Sequence, residues 1–241
     1  MIRTFKTLLL VLVAGISFTA CEKEYSEENG LLPGSGGGGG NGGGGGGGNN
    51  ATCKSCTYQP WCDGSVYTYV DTTGAGATTT SQTLDILADT TIDGKTFHKT
   101  DAGSSSNLSY QNCTNGVTTL VAYNPVGTGG STVERINTVP IKENEPVGAT
   151  WQEVNAVTGG NAVYDYEIIS KGSSRTVLGV TFPDVIHVHQ TLSTEVFGIS
   201  IPQAETDYYY AKNVGLIEAY TVDAFFGSLL LHRVLQSYSI P

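Results

Sequence analysis

Short segments in which apolar and polar residues alternate recur from residue 65 to residue 238. The segment 65–71 alternates Val or Thr with Tyr, and in 83–88 Leu84 and Ile86 fall on one face. Alternation with a period of two is typical of strands with one buried face. We therefore predict strands in these two segments and in the following ones: 95–100, 106–112, 117–123, 132–139, 163–170, 175–182, 184–192, 195–201, 207–212, 215–223 and 228–238.

Turn residues separate many of these segments and favour direct hairpin connections between them. Asp93-Gly94 and Asn115-Gly116 suit two-residue turns, and Lys171-Gly172 and Asn213-Val214-Gly215 occupy similar places. Only 14% of the residues are charged, while Thr, Ser, Val and Tyr are abundant, which is typical of β-proteins. The chain is expected to be all-β, an antiparallel meander forming an open or half-closed barrel, with a two-sheet sandwich as the alternative.

The N-terminus contains a separate apolar run, residues 8–14, which follows Arg3 and Lys6. It is too short to span a bilayer and is typical of a secretory signal peptide, here residues 1–20. The end of this segment, Phe18-Thr19-Ala20-Cys21, resembles the lipobox of bacterial lipoproteins, although Phe18 stands where Leu is commonest. The resemblance implies that Cys21 is diacylated and becomes the new N-terminus, which anchors the protein to a membrane.

Residues 21–50 are predicted to be a flexible tether ahead of a single β domain, 51–241. An acidic stretch, 22–28, precedes a nearly uniform glycine run from Gly34 to Asn50. Glycine has no side chain to bury, so such a run does not pack, and the tether extends to at most about 100 Å. It is either a spacer that lifts the domain off the membrane or a repeat produced by replication slippage that persists because it does no harm.

The residues after Cys21 bear on the compartment of the protein. No Asp follows the cysteine directly, so the inner-membrane retention signal of enterobacteria is absent. Glu22-Lys23-Glu24 loosely resembles the surface-export signal of Bacteroidetes lipoproteins. The resemblance implies an outer-membrane lipoprotein displayed at the cell surface.

The net charge excludes one class of partner. The formal charge is −10 for the whole chain, and it becomes −12 after cleavage because Arg3 and Lys6, but no acidic residue, precede Cys21. An acidic chain without a basic stripe does not bind nucleic acid. Anionic lipid headgroups also repel it, so the acyl chains must provide the membrane attachment.

The segment 208–218, Tyr-Tyr-Tyr-Ala-Lys-Asn-Val-Gly-Leu-Ile-Glu, resembles a Tyr-Ala-Lys-Gly-Val-Gly-Leu-Val/Ile signature of small bacterial lipoprotein domains of unknown function. A Val-Thr-Phe strand, 180–182, and a lone Trp151 precede it, as in those domains. Asn213 replaces the usual Gly and tolerates the left-handed backbone of a turn. The resemblance implies a β-rich envelope module, akin to lipoprotein-carrier half-barrels, and it brings no activity.

Four further cysteines follow Cys21: Cys53, Cys56, Cys62 and Cys113. In an exported chain an even count favours two disulfides, and three pairings are possible. We favour one bridge between the segment 53–62 and Cys113, because closing a loop of about 50 residues stabilises a fold by a few kcal/mol. Zinc ligation and a redox pair are the alternatives.

Two histidines provide a weak metal candidate. His187 and His189 lie on one face of a predicted strand, about 7 Å apart, with Asp184 and Glu195 as the nearest third ligands. The plainer interpretation is two solvent-facing imidazoles, and we predict neither a metal nor another cofactor.

Catalytic motifs are missing. Position 89 is Asp where a phosphate loop ending at Gly94-Lys95-Thr96 requires Gly, and neither Gly-x-Ser-x-Gly nor His-Glu-x-x-His occurs. Asp165 and Glu167 share a strand face, as glycosidase carboxylates can, but we predict no enzyme.

Tyrosines provide the candidate ligand site. Tyr164 and Tyr166 share one strand face, as do Tyr208 and Tyr210, so they form either an aromatic groove for a hydrophobic or glycan ligand or part of the core.

Two threonines are candidate modification sites. Thr72 and Thr90 each follow an Asp and precede a Thr, which resembles the O-glycosylation sequon of Bacteroidetes.

The sequence therefore predicts a non-catalytic binding or carrier module. A structural or assembly partner of envelope proteins is the alternative, and an envelope hydrolase is the third interpretation.

Overall fold

The structure is a computed structural model that describes residues 54–62, 64–84, 86–100, 108–126 and 132–241. The predicted signal peptide and tether, together with Cys21 and Cys53, lie outside the described residues. The described part forms fifteen strands and no helix. Their bounds are β1 Lys54–Cys56, β2 Gln59–Trp61, β3 Ser65–Thr73, β4 Gly76–Leu84, β5 Ile86–Ile92, β6 Lys95–Thr100, β7 Leu108–Thr114, β8 Val117–Val126, β9 Thr132–Lys142, β10 Thr150–Val157, β11 Gly160–Val177, β12 Val180–Val196, β13 Ile199–Ala211, β14 Gly215–Asp223 and β15 Leu229–Ser239.

All strand pairs among the described residues are antiparallel, which confirms the predicted all-β class. An eight-stranded sheet has the order β10-β11-β12-β13-β14-β15-β3-β4, so the β3–β4 hairpin is added beside the last strand of a six-strand meander. A five-stranded meander, β5 to β9, forms a second sheet, and β1 pairs with β2. Neither large sheet closes on itself in the part of the chain that the structure describes, so the fold is open, with two large sheets.

Residues with positive φ mark the hairpin turns. Asp93-Gly94 and Asn115-Gly116 are turns as predicted, with φ of 49° and 75° in the first pair and 52° and 77° in the second. Asn213, with φ of 59°, lies in the turn between β13 and β14, which confirms the hairpin expected for the segment 208–218. These turns suit right-twisted strands because left-handed backbone matches their twist.

Three predicted boundaries are wrong. Leu178-Gly179 and Phe197-Gly198 form turns inside segments predicted as single strands, because Leu178 and Phe197 adopt positive φ that such residues seldom show. Lys171-Gly172, predicted as a turn, lies within β11, where the register to β12 shifts between Ser170 and Ser173. The glycine there accommodates an irregularity in a long strand instead of reversing the chain.

The main core lies between the large sheet and the last strand of the second sheet. Ile136, Val139 and Ile141 of β9 pack with residues of β10 to β13, among them Trp151 and Ile186. Trp151 Nε1 donates a hydrogen bond to the Val139 carbonyl at 2.7 Å, so its polar edge is satisfied inside this core. A second cluster packs Tyr67 and Tyr69 of β3 with residues of β11 to β15, and a small third one lies within the five-stranded sheet.

A disulfide joins β1 to β7. Cys56 of β1 bonds Cys113 of β7, with Cα atoms 5.7 Å apart, which is a bridge between the segment 53–62 and Cys113. Cys62 is disulfide-bonded as well. The described cysteines are therefore oxidised and carry no thiolate that could bind zinc.

Among the described residues, no helix has the length and apolar character that crossing a bilayer requires.

Candidate functional site

One face of the large sheet carries most of the chemistry of the chain. In β12 the side chains of Ile186 and Val188 are buried, so alternation places His187 and His189 on the opposite face, where they are half-buried. In β13 the same alternation buries Tyr210 and places Asp207 on the face of the two histidines. We call this side of the sheet the polar face.

The strand register fixes which residues meet on the polar face, because directly opposed residues of neighbouring strands point to the same side. A first row crosses β10 to β15 and consists of Thr150, Glu167, His189, Asp207, Tyr220 and His232. A second row consists of Gln152, Asp165, Thr191, Glu205 and Val222. A third contains His187, Tyr209 and Glu218. The polar face thus collects five carboxylates and three of the four histidines.

A single carboxylate connects the two histidines singled out in the sequence. Asp207 Oδ1 lies 2.8 Å from His187 Nε2 and 3.0 Å from His189 Nδ1. Each imidazole must carry its proton on the nitrogen that faces Asp207 in order to donate. The hydrogen bonds from His187 and His189 hold the pKa of Asp207 well below its usual range, and the bond to Asp207 raises the pKa of His189.

The third ligands suggested by the sequence are wrong. Asp184 lies away from the histidine pair and accepts hydrogen bonds from Tyr58 Oη at 2.6 Å and Lys212 Nζ at 2.9 Å. Glu195 lies near the far end of β12, opposite Ser200. Among the described residues, no three His, Cys, Asp or Glu side chains are arranged to hold a metal ion.

A stacked group continues the polar face toward β14. The guanidinium carbon of Arg175 lies 3.3 Å from the centre of the Tyr209 ring, and the His187 ring stacks on Tyr209 at 4.4 Å. Arg175 Nε donates to Glu218 Oε2 at 2.5 Å, and His232 Nε2 lies 2.9 Å from Glu218 Oε1. Burial raises the pKa of Glu218, but the bonds from Arg175 and His232 outweigh it and lower that pKa below its usual value.

An open groove of about 360 Å³ lies over β10, β11 and β12. Its lining includes the hydroxyl, amide, carboxylate and imidazole side chains of Thr150, Gln152, Asp165, Glu167, His189 and Thr191. Trp151 and Tyr166 also border it, but their rings are buried in the core on the other side of the sheet. Gln152 Nε2 donates to Asp165 Oδ1 at 2.7 Å. The groove presents both donors and acceptors, and two of its acceptors are carboxylates that face solvent.

The four tyrosines proposed for ligand binding do not line this groove as a set. Tyr164, Tyr166 and Tyr210 are buried and Tyr208 packs against the same core cluster. Desolvation raises the pKa of the Tyr166 and Tyr210 hydroxyls. The pairs do share strand faces, as expected, but the shared face is the one that packs against β9, so these rings are packing residues.

The candidate O-glycosylation sites lie on different sheets. Thr72 is half-exposed on β3 next to the buried Asp71, and Thr90 is half-exposed on β5. Modification of either residue stays a prediction.

Comparison with known proteins leaves the family open. No protein-family model matches the chain, and no curated protein is significantly similar to it. A solved candidate lipoprotein from Parabacteroides distasonis aligns with 77% of this chain and 100% of its own, at 18% identity and a TM-score of 0.46. A candidate exported protein with a YmcC-like fold from Bacteroides fragilis aligns over the same shares, at 12% identity and a TM-score of 0.43.

Sequence reasoning found His187, His189, Asp165 and Glu167 but missed the residues that join them. Asp207, Arg175 and the remaining groove residues lie on other strands, and only the pairing of those strands brings them together. The one usable signal was alternation, which places Asp207 and Tyr209 on one face of the predicted strand 207–212.

Proposed function

We propose that the protein is a lipid-anchored envelope module that binds a polyhydroxylated ligand, a glycan, without catalysis, in the groove over β10 to β12. The lining of that groove carries the proposal. Ligand pockets of similar volume are usually apolar, whereas this one presents carboxylates, an amide, hydroxyls and an imidazole. Sugar hydroxyls both donate and accept, so they pair with such a set, whereas an apolar ligand removes the two carboxylates from water and offers them no donor.

The two carboxylates make the groove polar and determine which ligands it favours. Asp165 and Glu167 are acceptors only, and Asp165 already accepts from Gln152, so their remaining acceptor positions suit hydroxyl or ammonium donors of a ligand. Hydrogen bonds to charged groups are worth about 1.5–3 kcal/mol each. This chemistry favours a neutral or amino-bearing glycan over a hydrophobic ligand or an anionic one.

Binding is tested on a glycan array with the purified protein and then by calorimetry with the best ligand. Asp165→Asn and Glu167→Gln are expected to weaken binding at least tenfold and to leave the thermal midpoint within about 2 °C, because both side chains face solvent. The matched control is Glu145→Gln, which removes one exposed negative charge outside the groove. Binding that is unchanged in both groove variants would refute the assignment.

The same variants separate binding from hydrolysis. We expect no release of reducing ends from the bound glycan. Turnover that Asp165→Asn or Glu167→Gln abolishes and Glu145→Gln preserves would show an enzyme with these two carboxylates in its active site.

Anchoring at an outer membrane, with display at the cell surface, rests on the sequence of residues 1–24. Cys21→Ser is expected to abolish labelling by an alkyne fatty acid and to release the protein from the membrane fraction. The control is Ser26→Ala, also within the predicted tether, which should keep the label. Labelling that persists in the Cys21→Ser protein would contradict lipidation at this residue, and protection of the anchored protein from added protease would contradict surface display.

A further inference from the structure

Four large apolar side chains stand exposed at one end of the eight-stranded sheet, which we call the distal end. Phe197 is 101% exposed and Ile199 65% exposed at the turn between β12 and β13. Phe225 and Phe226 are 62% and 83% exposed at the turn between β14 and β15. The two hairpins are neighbours because β13 pairs with β14. Several large exposed apolar side chains at one end of a sheet are typical of an interaction surface.

The β14–β15 turn is held in one conformation by hydrogen bonds. Asp223 Oδ1 accepts from the backbone N–H groups of Phe225 at 2.9 Å and Phe226 at 2.8 Å. The Ala224 N–H donates to the Gln203 carbonyl at 3.1 Å, which ties the turn to β13. The backbone that carries the two phenylalanines is therefore held in place before any partner arrives, and less backbone entropy is lost on binding.

The distal end has the shape of a step. The last pair between β13 and β14 is Ala204 opposite Asp223, but β12 and β13 remain paired out to Val196 opposite Ile199. The β12–β13 hairpin thus continues for five more residues, or about 16 Å. A flat bilayer would contact Phe197 and Ile199 at the longer β12–β13 hairpin but not Phe225 and Phe226 at the shorter β14–β15 hairpin. A protein surface of complementary shape can contact all four side chains.

The charge of the distal end also favours a protein partner over an anionic membrane. The segments 196–204 and 222–231 contain no Lys or Arg, and Asp223 is their one charged residue, while Glu195 and Glu205 border the first segment. Anionic lipid headgroups repel such a surface. A cleft rimmed by Lys or Arg side chains complements it.

The distal end is opposite to the place where the described chain begins. The Asn213 N–H, in the turn at the other end of β13, donates to the Thr57 carbonyl at 2.7 Å. Gly215 lies against Gln59 and Pro60 at that same end. A chain anchored through its N-terminal segment therefore presents Phe197 and Phe226 away from its first described residues.

We propose that the distal end is a docking surface for a second envelope protein, one that offers an apolar cleft with a basic rim. Phe197 and Ile199 enter the cleft, Phe225 and Phe226 contact its lower wall, and Glu195 faces the rim. This surface is separate from the groove over β10 to β12, so its partner does not depend on the glycan.

The first experiment locates the partner in living cells. A photo-crosslinking phenylalanine analogue replaces Phe197 in the full chain. In the control it replaces Leu178, an apolar residue that is also exposed and lies at the opposite end of the sheet. We expect one discrete protein adduct from position 197 and none of that mass from position 178. Identical adducts from both positions, or no protein adduct from position 197, would overturn the proposal.

The second experiment uses the identified protein, purified, as the probe. Phe197→Ser and Phe226→Ser should each weaken its binding at least tenfold, Glu195→Lys should weaken it more at low salt than at high salt, and Leu178→Ser should have no effect. Binding of the protein to phosphatidylcholine vesicles that Phe197→Ser abolishes would assign the surface to a membrane instead. A concentration-dependent dimer in sedimentation that the same variant dissociates would assign it to a second copy.

Discussion

Arg233 and Asp71 form a two-point ion pair inside the large sheet although 162 residues separate them in sequence. Arg233 Nε donates to Asp71 Oδ1 and a terminal nitrogen donates to Oδ2, both at 2.7 Å. The two residues are directly opposed on β15 and β3, and both are buried. The guanidinium also lies 5.2 Å from the centre of the Tyr69 ring. This pair fixes the β3–β4 hairpin to the end of the meander.

Arg233→Met is expected to lower the free energy of unfolding by about 3–5 kcal/mol, because it leaves the buried Asp71 carboxylate without its counter-ion. The double variant Asp71→Leu with Arg233→Met should recover a large part of that loss, since no charge then remains buried. Urea unfolding measures both effects.

The matched control for this ion pair is Arg135→Met. Arg135 pairs with Asp93 at the surface, where solvent screens both charges, so Arg135→Met should destabilise the protein far less than Arg233→Met. Equal losses from Arg135→Met and Arg233→Met would contradict the assignment of a buried, uncompensated charge.

Asn155 of β10 joins the two large sheets, because its side-chain amide bonds the backbone N–H and carbonyl of Asn137 in β9 as a neighbouring strand would. Its side chain, in a residue 3% exposed, accepts from the Asn137 N–H at 2.7 Å and donates to the Asn137 carbonyl at 2.9 Å. Asn155→Leu replaces the amide with a larger apolar side chain and removes both hydrogen bonds to the Asn137 backbone, so the free energy of unfolding should fall by about 2–4 kcal/mol. Thermal and urea unfolding test this.

The control for Asn155 is an amide that bonds at the surface. Asn144 donates to the Asn115 carbonyl in an exposed turn, so Asn144→Leu should cost less than about 1 kcal/mol. If Asn155→Leu proves as mild as Asn144→Leu, the bond to Asn137 does not hold the sheets together.

The disulfide between Cys56 and Cys113 should stabilise the fold by about 2–4 kcal/mol, because it closes a loop between residues separated by 57 positions. The double variant Cys56→Ser with Cys113→Ser avoids a free thiol that could pair wrongly, and its unfolding midpoint should fall accordingly. Intact mass before and after reduction verifies the bond. An unchanged midpoint in the double variant would show that the loop is constrained by packing alone.

The strands were predictable where local chemistry determines them. The alternation in 65–71 and the turn residues Asp93-Gly94 and Asn115-Gly116 act within a few residues, and the structure agrees at these positions. β4 escaped detection because Gly76–Leu84 is mostly Thr, Ser and Gly and shows no apolar alternation; its pairing with β3 defines it as a strand. The turn at Phe197 carries an aromatic residue where local rules expect Asn or Asp.

The candidate site was less predictable because cross-strand register creates it. Nothing near His187 and His189 in sequence indicates that Asp207, 18 residues beyond His189, bonds both of them. Asp184 and Glu195 are nearer in sequence but belong to the two ends of β12. The tyrosine pairs show a second reason why the site was hard to predict. Alternation shows that two rings share a strand face, but it does not show whether that face is buried or exposed.

The three-residue cluster His187, Asp207 and His189 makes stability depend on pH. Its hydrogen bonds raise the pKa of His189 and lower that of Asp207. The contribution of His189 is therefore complete below its unfolded pKa of about 6.5 and is lost as the pH rises through its folded value. The contribution of Asp207 is present above about 3.9 and is lost as the pH falls through its folded value. The cluster thus contributes most between about pH 4 and 6.5.

Asp207→Asn removes the carboxylate that both imidazoles bond, so the pKa of His189 should fall in the variant, as NMR titration of the ring protons measures. The stability lost through this substitution should be larger at pH 6 than at pH 8.5, by less than about 1 kcal/mol, because His189 and Asp207 are each about one-third exposed and solvent screens them. Glu167 and Glu205 also face His189 and raise its pKa, so part of the increase should remain in the Asp207→Asn variant. Glu145→Gln, remote from the cluster, should leave the titration unchanged. A His189 pKa that is the same with and without Asp207 would show that the two groups do not interact in solution.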